Sequence, residues 1–204
     1  MQSLLHPTYF PNIAHFVATV STDKIYFEIC DNYQKQTFRN RFEIYGANGK
    51  LALTVPVIYT QKNRQLYKDV KISNENDWQK IHLKSLESAY RMSPFYEFYI
   101  DDIMPIFEDN FKFIVDLNLK CFQIIKECLQ LDFSLAFTNQ YEKSPPNVND
   151  YRHLVNKKFN AIKLEPYTQV FLQKHGFIPN LSILDLLFNE GPNTELYLNR
   201  HQID

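Results

Sequence analysis

Apolar residues recur along this chain at two spacings, and the switches between them mark out the elements. Ser3 to Leu5 is apolar enough for a short strand, ended at His6-Pro7 because proline cannot donate to a ladder. Pro7 and Pro11 bracket Tyr9-Phe10 in a stiff aromatic loop. Ile13, Phe16, Val17 and Val20 then recur at helical spacing behind Asn12 as N-cap, and Ile25 to Ile29 reads as a strand. Strand, loop, helix, strand is the opening of a parallel α/β unit. Ligands of such sheets lie outside the carboxyl ends of the strands. If the two strands are neighbours, the His6–Phe10 loop and the run after Cys30 meet at one edge.

Asn48-Gly49 between apolar runs predicts a hairpin, since both residues tolerate positive φ. Its return, Leu51 to Val57, places Leu51, Leu53, Val55 and Val57 on one face. Ile58 to Leu66 has no period and reads as a mobile loop, and Asp69 to Ile72 as a short strand. Helices follow. Asp77 caps one running to about Met92, with Trp78, Ile81, His82, Ser85, Leu86 and Ala89 on its apolar face. Another spans Pro94 to roughly Phe107, interrupted near Pro105, and a third about Lys112 to Leu129, with Asp116 and Asn118 at its surface. Leu131 to Phe137 reads as a strand. Thr138 to Tyr151 reads as a long loop, because Pro145-Pro146 forbids helix. A buried helix capped by Asn180 ends at Gly191-Pro192. Its one polar stripe is Ser182, Asp185 and Asn189. These elements predict one α/β domain over residues 1–204, with a mixed, partly parallel sheet, an inserted β-hairpin and a helical middle section.

Composition narrows the chemistry. A net charge of −1 gives no support to a nucleic-acid track or a membrane-surface role. The charge is uneven, however: Asp31 to Lys71 holds eight Lys/Arg against three Asp/Glu, and Glu97 to Asp116 six acids against one lysine. Lys35, Arg39 and Arg41, with Gln34 and Asn40, follow directly after a strand and form a candidate grip for an anionic small molecule. The 17 Phe and 13 Tyr serve packing and stacking alike. Three cysteines match no metal-ligand spacing, so no metal is expected and a reducing compartment is. No stretch reaches the roughly 20 apolar residues of a membrane span, and the start lacks signal-peptide character. The cytoplasm is therefore the expected location. No Gly-rich phosphate loop is present among four glycines; a nucleotide would need side chains or the helix start near Asn12.

His82, mid-stripe beside the only tryptophan, is either a hydrogen-bonded core histidine or the floor of a ligand pocket. Asp185 is either an internal tie to an arginine such as Arg39 or Arg41, or a site carboxylate.

Four ordered blocks carry a resemblance. They are Pro7-Thr8-Tyr9-Phe10-Pro11; Glu28 to Val57, with Asn32-Tyr33-Gln34-Lys35-Gln36-Thr37 and Asn40-Arg41; Trp78, His82, Tyr90 and Pro94-Phe95; and Phe177 to Pro192. Together they resemble the WbqC-like family, in the shorter form typical of Bacteroidetes-type bacteria. The resemblance implies a link to O-antigen and other surface-polysaccharide gene clusters, and transfer chemistry on sugar nucleotides or on activated acyl or aminoacyl donors. Leu5-His6 replaces the His-Gln of longer members, and the Asn/Pro loop replaces their glycine-rich segment.

Two functions stay open. In a transferase, His82 or His6 would act as general base with Asp185 or Glu28 orienting it. Lys35, Arg39, Arg41, Gln34, Asn40 and Asn180 would hold a nucleotide-sugar or acyl donor, and Tyr9, Phe10 or Trp78 would stack on it. In a non-catalytic protein the same pocket would sense or carry a glycan precursor. No cofactor is assigned.

Overall fold

A computed structural model describes residues 1–60, 64–158 and 162–203. It has a parallel four-stranded sheet, separate antiparallel pairs and several helices in one α/β domain. The opening unit is β1 (Gln2–Leu5), α1 (Ile13–Val20) and β2 (Lys24–Phe27). β1 and β2 are parallel neighbours, Ser3 opposite Ile25 and Leu5 opposite Phe27. The hairpin β3 (Arg41–Gly46) and β4 (Gly49–Thr54) turns at Asn48-Gly49 as its sequence requires, Gly49 taking φ +95°. The pair β5 (Val57–Ile58) and β6 (Lys71–Ile72) follows, then α2 (Trp78–Tyr90), α3 (Tyr96–Ile103), α4 (Pro105–Glu108) and α5 (Ile114–Cys128). β7 (Ser134–Phe137) and β8 (Asn149–Asp150) complete the sheet in the order β7-β2-β1-β8, every pairing parallel. The chain ends with α6 (Leu172–His175), α7 (Ile183–Glu190) and α8 (Thr194–Asn199).

One sheet face packs on α1 and α5, where Phe122 stacks on Phe16 at 5.1 Å and meets Phe27 edge-on at 4.9 Å. β1 lies inside the sheet, so its last three residues are buried and the chain leaves it directly into the protein interior.

Several expectations need correction. The segment from Thr138 to Tyr151 is not all loop: Asn149-Asp150 adds the edge strand β8, held by backbone pairing to Ser3 and Leu4. Of the stretch Ile58 to Leu66, residues 61–63 lie outside the described residues. Tyr67–Asp69 is a 3-10 turn, leaving only Lys71-Ile72 as strand. β3 faces α2 and α7, so β4 is the outer strand and Leu51 is exposed. On α2 the buried stripe is Trp78, His82, Leu86 and Ala89, which turns Ile81 and Ser85 outward. Asn118 is fully buried, donating to the Arg39 carbonyl at 2.7 Å and to the Tyr67 hydroxyl at 2.6 Å.

Asn180 does not cap α7. Ser182 does, and Asn180 Oδ1 instead accepts from the Ala14 amide of α1 at 2.9 Å. With Ile13 N–H bonded to the Leu181 carbonyl and His15 N–H to Asn12, the start of α1 is filled by protein groups and offers no phosphate seat.

Gly191 ends α7 at φ +52°, and a Cβ there would sit 2.5 to 2.7 Å from ring carbons of Phe95. Gly191→Ala is expected to destabilise by about 2–4 kcal/mol, combining left-handed strain with overpacking. Urea denaturation checks this; a loss below about 0.5 kcal/mol would mean that the ring gives way freely.

Candidate functional site

The carboxyl ends of three parallel strands deliver the site. β1 ends into His6, β2 into Glu28 and Asp31, and β8 into Arg152. The backbone ties these exits together. Glu28 N–H donates to the Leu5 carbonyl at 2.8 Å, Tyr9 N–H to the Phe38 carbonyl at 3.1 Å, and Tyr151 N–H to the Leu4 carbonyl at 2.9 Å. The His6 loop and the run after Cys30 therefore share one edge, as a parallel opening requires.

At that edge three side chains form a triangle. Asp31 Oδ2 lies 2.6 Å from Arg39 Nη2 and 2.8 Å from His6 Nε2, and Arg39 Nη2 lies 2.8 Å from His6 Nε2. All three residues are buried, Arg39 completely. Tyr67 backs the guanidinium at 5.2 Å, and its hydroxyl donates to the Pro7 carbonyl at 2.5 Å.

A guanidinium can only donate. With His6 neutral and Nδ1–H directed at the Arg152 carbonyl 3.3 Å away, Nε2 accepts from Arg39. With His6 protonated, the same two ring nitrogens donate to Arg152 O and Asp31 Oδ2. The triangle therefore accommodates either state if Arg39 changes partner. Burial, with the Arg39 charge second, holds the His6 pKa below its usual 6.5, against the opposing pull of Asp31. Asp31 remains below the usual carboxylate range because its contacts with His6 and Arg39 together outweigh its desolvation. Asp31 Oδ1 is buried without a hydrogen-bond partner among the described residues.

The triangle opens into a cavity of about 310 Å³, whose far wall includes Asp150, Arg152 and Tyr141. Arg152 is saturated: it grips Asp150 through Nε at 2.9 Å and Nη2 at 2.5 Å, reaches Glu28 at 3.4 Å, and donates to the Glu142 and Lys143 carbonyls. Tyr141 lies against its guanidinium at 5.1 Å, with half the ring exposed at the cavity rim. Both cavity arginines are thus paired with carboxylates, which leaves a lining of balanced donors and acceptors.

A model described as the WbqC-like protein family matches residues 6–156 and 150–197. The chain belongs to that family. It is also similar to the uncharacterized protein Rv1507c of Mycobacterium tuberculosis (strain ATCC 25618 / H37Rv), with 25% identity and 96% of each chain covered. No solved structure matches it.

In this WbqC-like chain the candidate residues named from sequence fall into separate groups. His6, Gln34 and Arg39 line the cavity. Lys35 is exposed and stands over the Tyr59 ring at 5.1 Å. Tyr59, Tyr33 and Tyr67 run in series at 5.0 and 6.1 Å, so Lys35 and Arg39 cap opposite ends of a tyrosine ladder and do not converge. Arg41 starts β3, half-buried opposite Thr54, and Asn40 donates to the Val55 carbonyl at 2.8 Å, fastening the hairpin.

Tyr9, Phe10, Trp78 and His82 are buried together in the core. His82 Nδ1 pairs with the Tyr9 hydroxyl at 3.1 Å, and burial pulls its pKa down to about 4. That is the hydrogen-bonded core histidine. Asp185 contacts neither Arg39 nor Arg41; its carboxylate receives Tyr90, Tyr167 and Gln169. Glu28 pairs with Arg152 and not with a histidine.

Asp31, Asp150, Arg152 and Tyr141 were not among the candidates. Asp31 follows the β2 apolar run, and that position is the one sequence signal that points to it; Arg152 follows β8, which the sequence does not mark.

Proposed function

We propose that this WbqC-like protein is a transferase of surface-polysaccharide assembly, acting on a sugar-nucleotide or activated acyl or aminoacyl donor, with His6 as general base. The His6–Asp31–Arg39 triangle at the sheet's carboxyl edge carries this reading. A histidine held neutral, able to exchange Arg39 for Asp31 on taking one proton, is poised for acid–base work near pH 7. The attacking hydroxyl or amine of the acceptor loses its proton to Nε2 as it bonds to the donor, and the leaving group departs with its electron pair. The imidazolium then donates to Asp31 and the Arg152 carbonyl, while Asp31 Oδ1 accepts a further polar hydrogen of the acceptor. Because Arg39 and Arg152 are already neutralised, the donor's negative charge lies at the rim, toward Gln34 and the exposed Lys35. Family membership supports the polysaccharide context. All three cysteines are free, and no helix among the described residues is long and apolar enough to cross a membrane; both fit a cytoplasmic setting.

A thermal-shift screen with sugar nucleotides, acyl-CoA thioesters and aminoacyl donors finds the donor, since a ligand of the folded state raises its melting temperature. Transfer assays then compare wild type with His6→Gln and Asp31→Asn. His6→Gln is expected to keep donor binding and lose about 10²–10⁴-fold in kcat. The wild-type rate should fall only as pH drops below about 6.5, where His6 takes up its proton. Turnover that survives His6→Gln within a few-fold would remove His6 from the mechanism. The paired arginines also suit a non-catalytic carrier of a glycan precursor. Donor binding with no transfer to any acceptor would select that reading.

A further inference from the structure

The second face of the parallel sheet is roofed by the Asn/Pro segment 138–148, and between them lies a cavity of about 520 Å³. Its volume falls within the roughly 300–1,000 Å³ common for small-molecule sites. The floor is Leu4 of β1 and the half-buried Tyr26 of β2, which share the sheet face turned away from α1 and α5, and Phe137 at the end of β7 borders it. Gln2, Asn139, Gln140 and Asn147 add amide-bearing residues to its lining. Among the described residues its lining holds no lysine or arginine, and it includes two carboxylates, Glu28 and Glu142. Glu28 is already committed, accepting from Cys30 N–H at 2.8 Å and Thr138 Oγ1 at 2.9 Å and pairing with Arg152. Lys24, at the start of β2, is held over the Tyr26 ring at 4.7 Å.

These groups select a ligand class. With Glu28 neutralised by Arg152, the remaining lining carboxylate, Glu142, disfavours phosphate and carboxylate. The Tyr26 ring beside amide-bearing residues suits a flat, uncharged ring edged with hydroxyls: the C–H face stacks, and amides both donate to and accept from the hydroxyls. Arg152 is the partition. It lines the His6 cavity while its Nη atoms hold the Glu142 and Lys143 carbonyls of the roof. Tyr141 faces the smaller cavity and its neighbour Glu142 the larger.

We infer that the cavity under segment 138–148 binds a neutral sugar residue, as the acceptor subsite of the transferase proposed above. This inference rests on that reading for the word acceptor, and on the cavity alone for the sugar.

Saturation-transfer NMR on the full chain with neutral methyl glycosides (hexosides and N-acetylhexosaminides), with nucleosides and sugar phosphates as comparison probes, tests it. At least one neutral glycoside should bind. Tyr26→Ala, at a half-buried position, should weaken it about tenfold. Thermal melts confirm that each variant is folded. No glycoside binding, binding indifferent to Tyr26→Ala, or binding of nucleosides or sugar phosphates in preference would overturn the subsite. Tyr26-dependent glycoside binding without any transfer would retain the sugar site and reject the transferase. His6-dependent transfer indifferent to Tyr26→Ala would do the reverse.

Discussion

Asp185→Leu should bring the protein close to unfolding at pH 7, although leucine suits an apolar helix. The carboxylate is fully buried and receives the Tyr90 hydroxyl at 2.8 Å, the Tyr167 hydroxyl and Gln169 Nε2 at 2.8 Å. Each donor has a second attachment. Tyr90 Oη accepts from Tyr45 N–H at 3.0 Å in β3, and the Gln169 amide holds both the N–H and the carbonyl of Ile178 at 2.9 Å. One carboxylate therefore joins α7 to α2, to the hairpin and to the C-terminal segment. Leucine strands three buried donors at about 1–3 kcal/mol each. A loss above about 3 kcal/mol is a large part of the roughly 5–15 kcal/mol that holds a domain folded. At about 2–4 °C per kcal/mol for a chain of this length, the melting temperature should drop about 10 °C or more. Asp185→Asn, which keeps one acceptor, should fall between the two. Thermal and urea melts decide it; a leucine variant within about 1 kcal/mol of wild type would mean the network is not a fastening.

Asp185 also shows where the sequence stops being informative. Its burial was legible, because apolar residues surround it on α7 in sequence. Its partners were not, since Tyr90 and Tyr167 come from segments whose approach depends on the whole fold. The opening unit was legible for the opposite reason: Pro7, Asn12 and the β1 and β2 apolar runs act locally, and parallel pairing follows from a helix between two strands. That placed His6 and the run after Cys30 at one edge. β8 left no trace, because Asn149 and Asp150 are polar and become a strand only by borrowing β1's free edge. Arg152 was hidden with it. The aromatic residues Tyr9, Phe10 and Trp78 were read as stacking surfaces because composition cannot distinguish a ring that packs inward from one that faces a cavity. Tyr26 and Tyr141, which line the two cavities, sit on β2 and in the segment after β7, at the sheet's less covered side.

Acid should unfold the protein well above the usual carboxylate range, and His15 should account for much of that sensitivity. Burial drives the His15 pKa down to about 3, with His6 and His153 adding repulsion, and drives His82 down to about 4. His6 is lowered as well. A histidine whose folded pKa lies below its unfolded 6.5 contributes stability that is complete above pH 6.5 and lost as pH falls toward the folded value. At pH 5, His15 and His82 should each have cost about 2 kcal/mol relative to pH 7.5, with His6 acting in the same direction. Asp185 opposes them, since burial raises its pKa and its protonation favours the folded state as pH falls. Asp31, Glu43 and Asp150, all lowered, add their losses only further into acid. His15 is the informative position because, among the described residues, its Nε2 has no partner and its Nδ1 bonds only to Asn12 Oδ1 at 2.8 Å, which keeps the His15 backbone N–H. His15→Leu therefore sacrifices little at pH 7.5 and should retain about 2 kcal/mol more than wild type at pH 5. Melting temperatures of both proteins from pH 7.5 to 4.5 measure the difference. Parallel curves would show that the His15 proton is not what the folded state excludes.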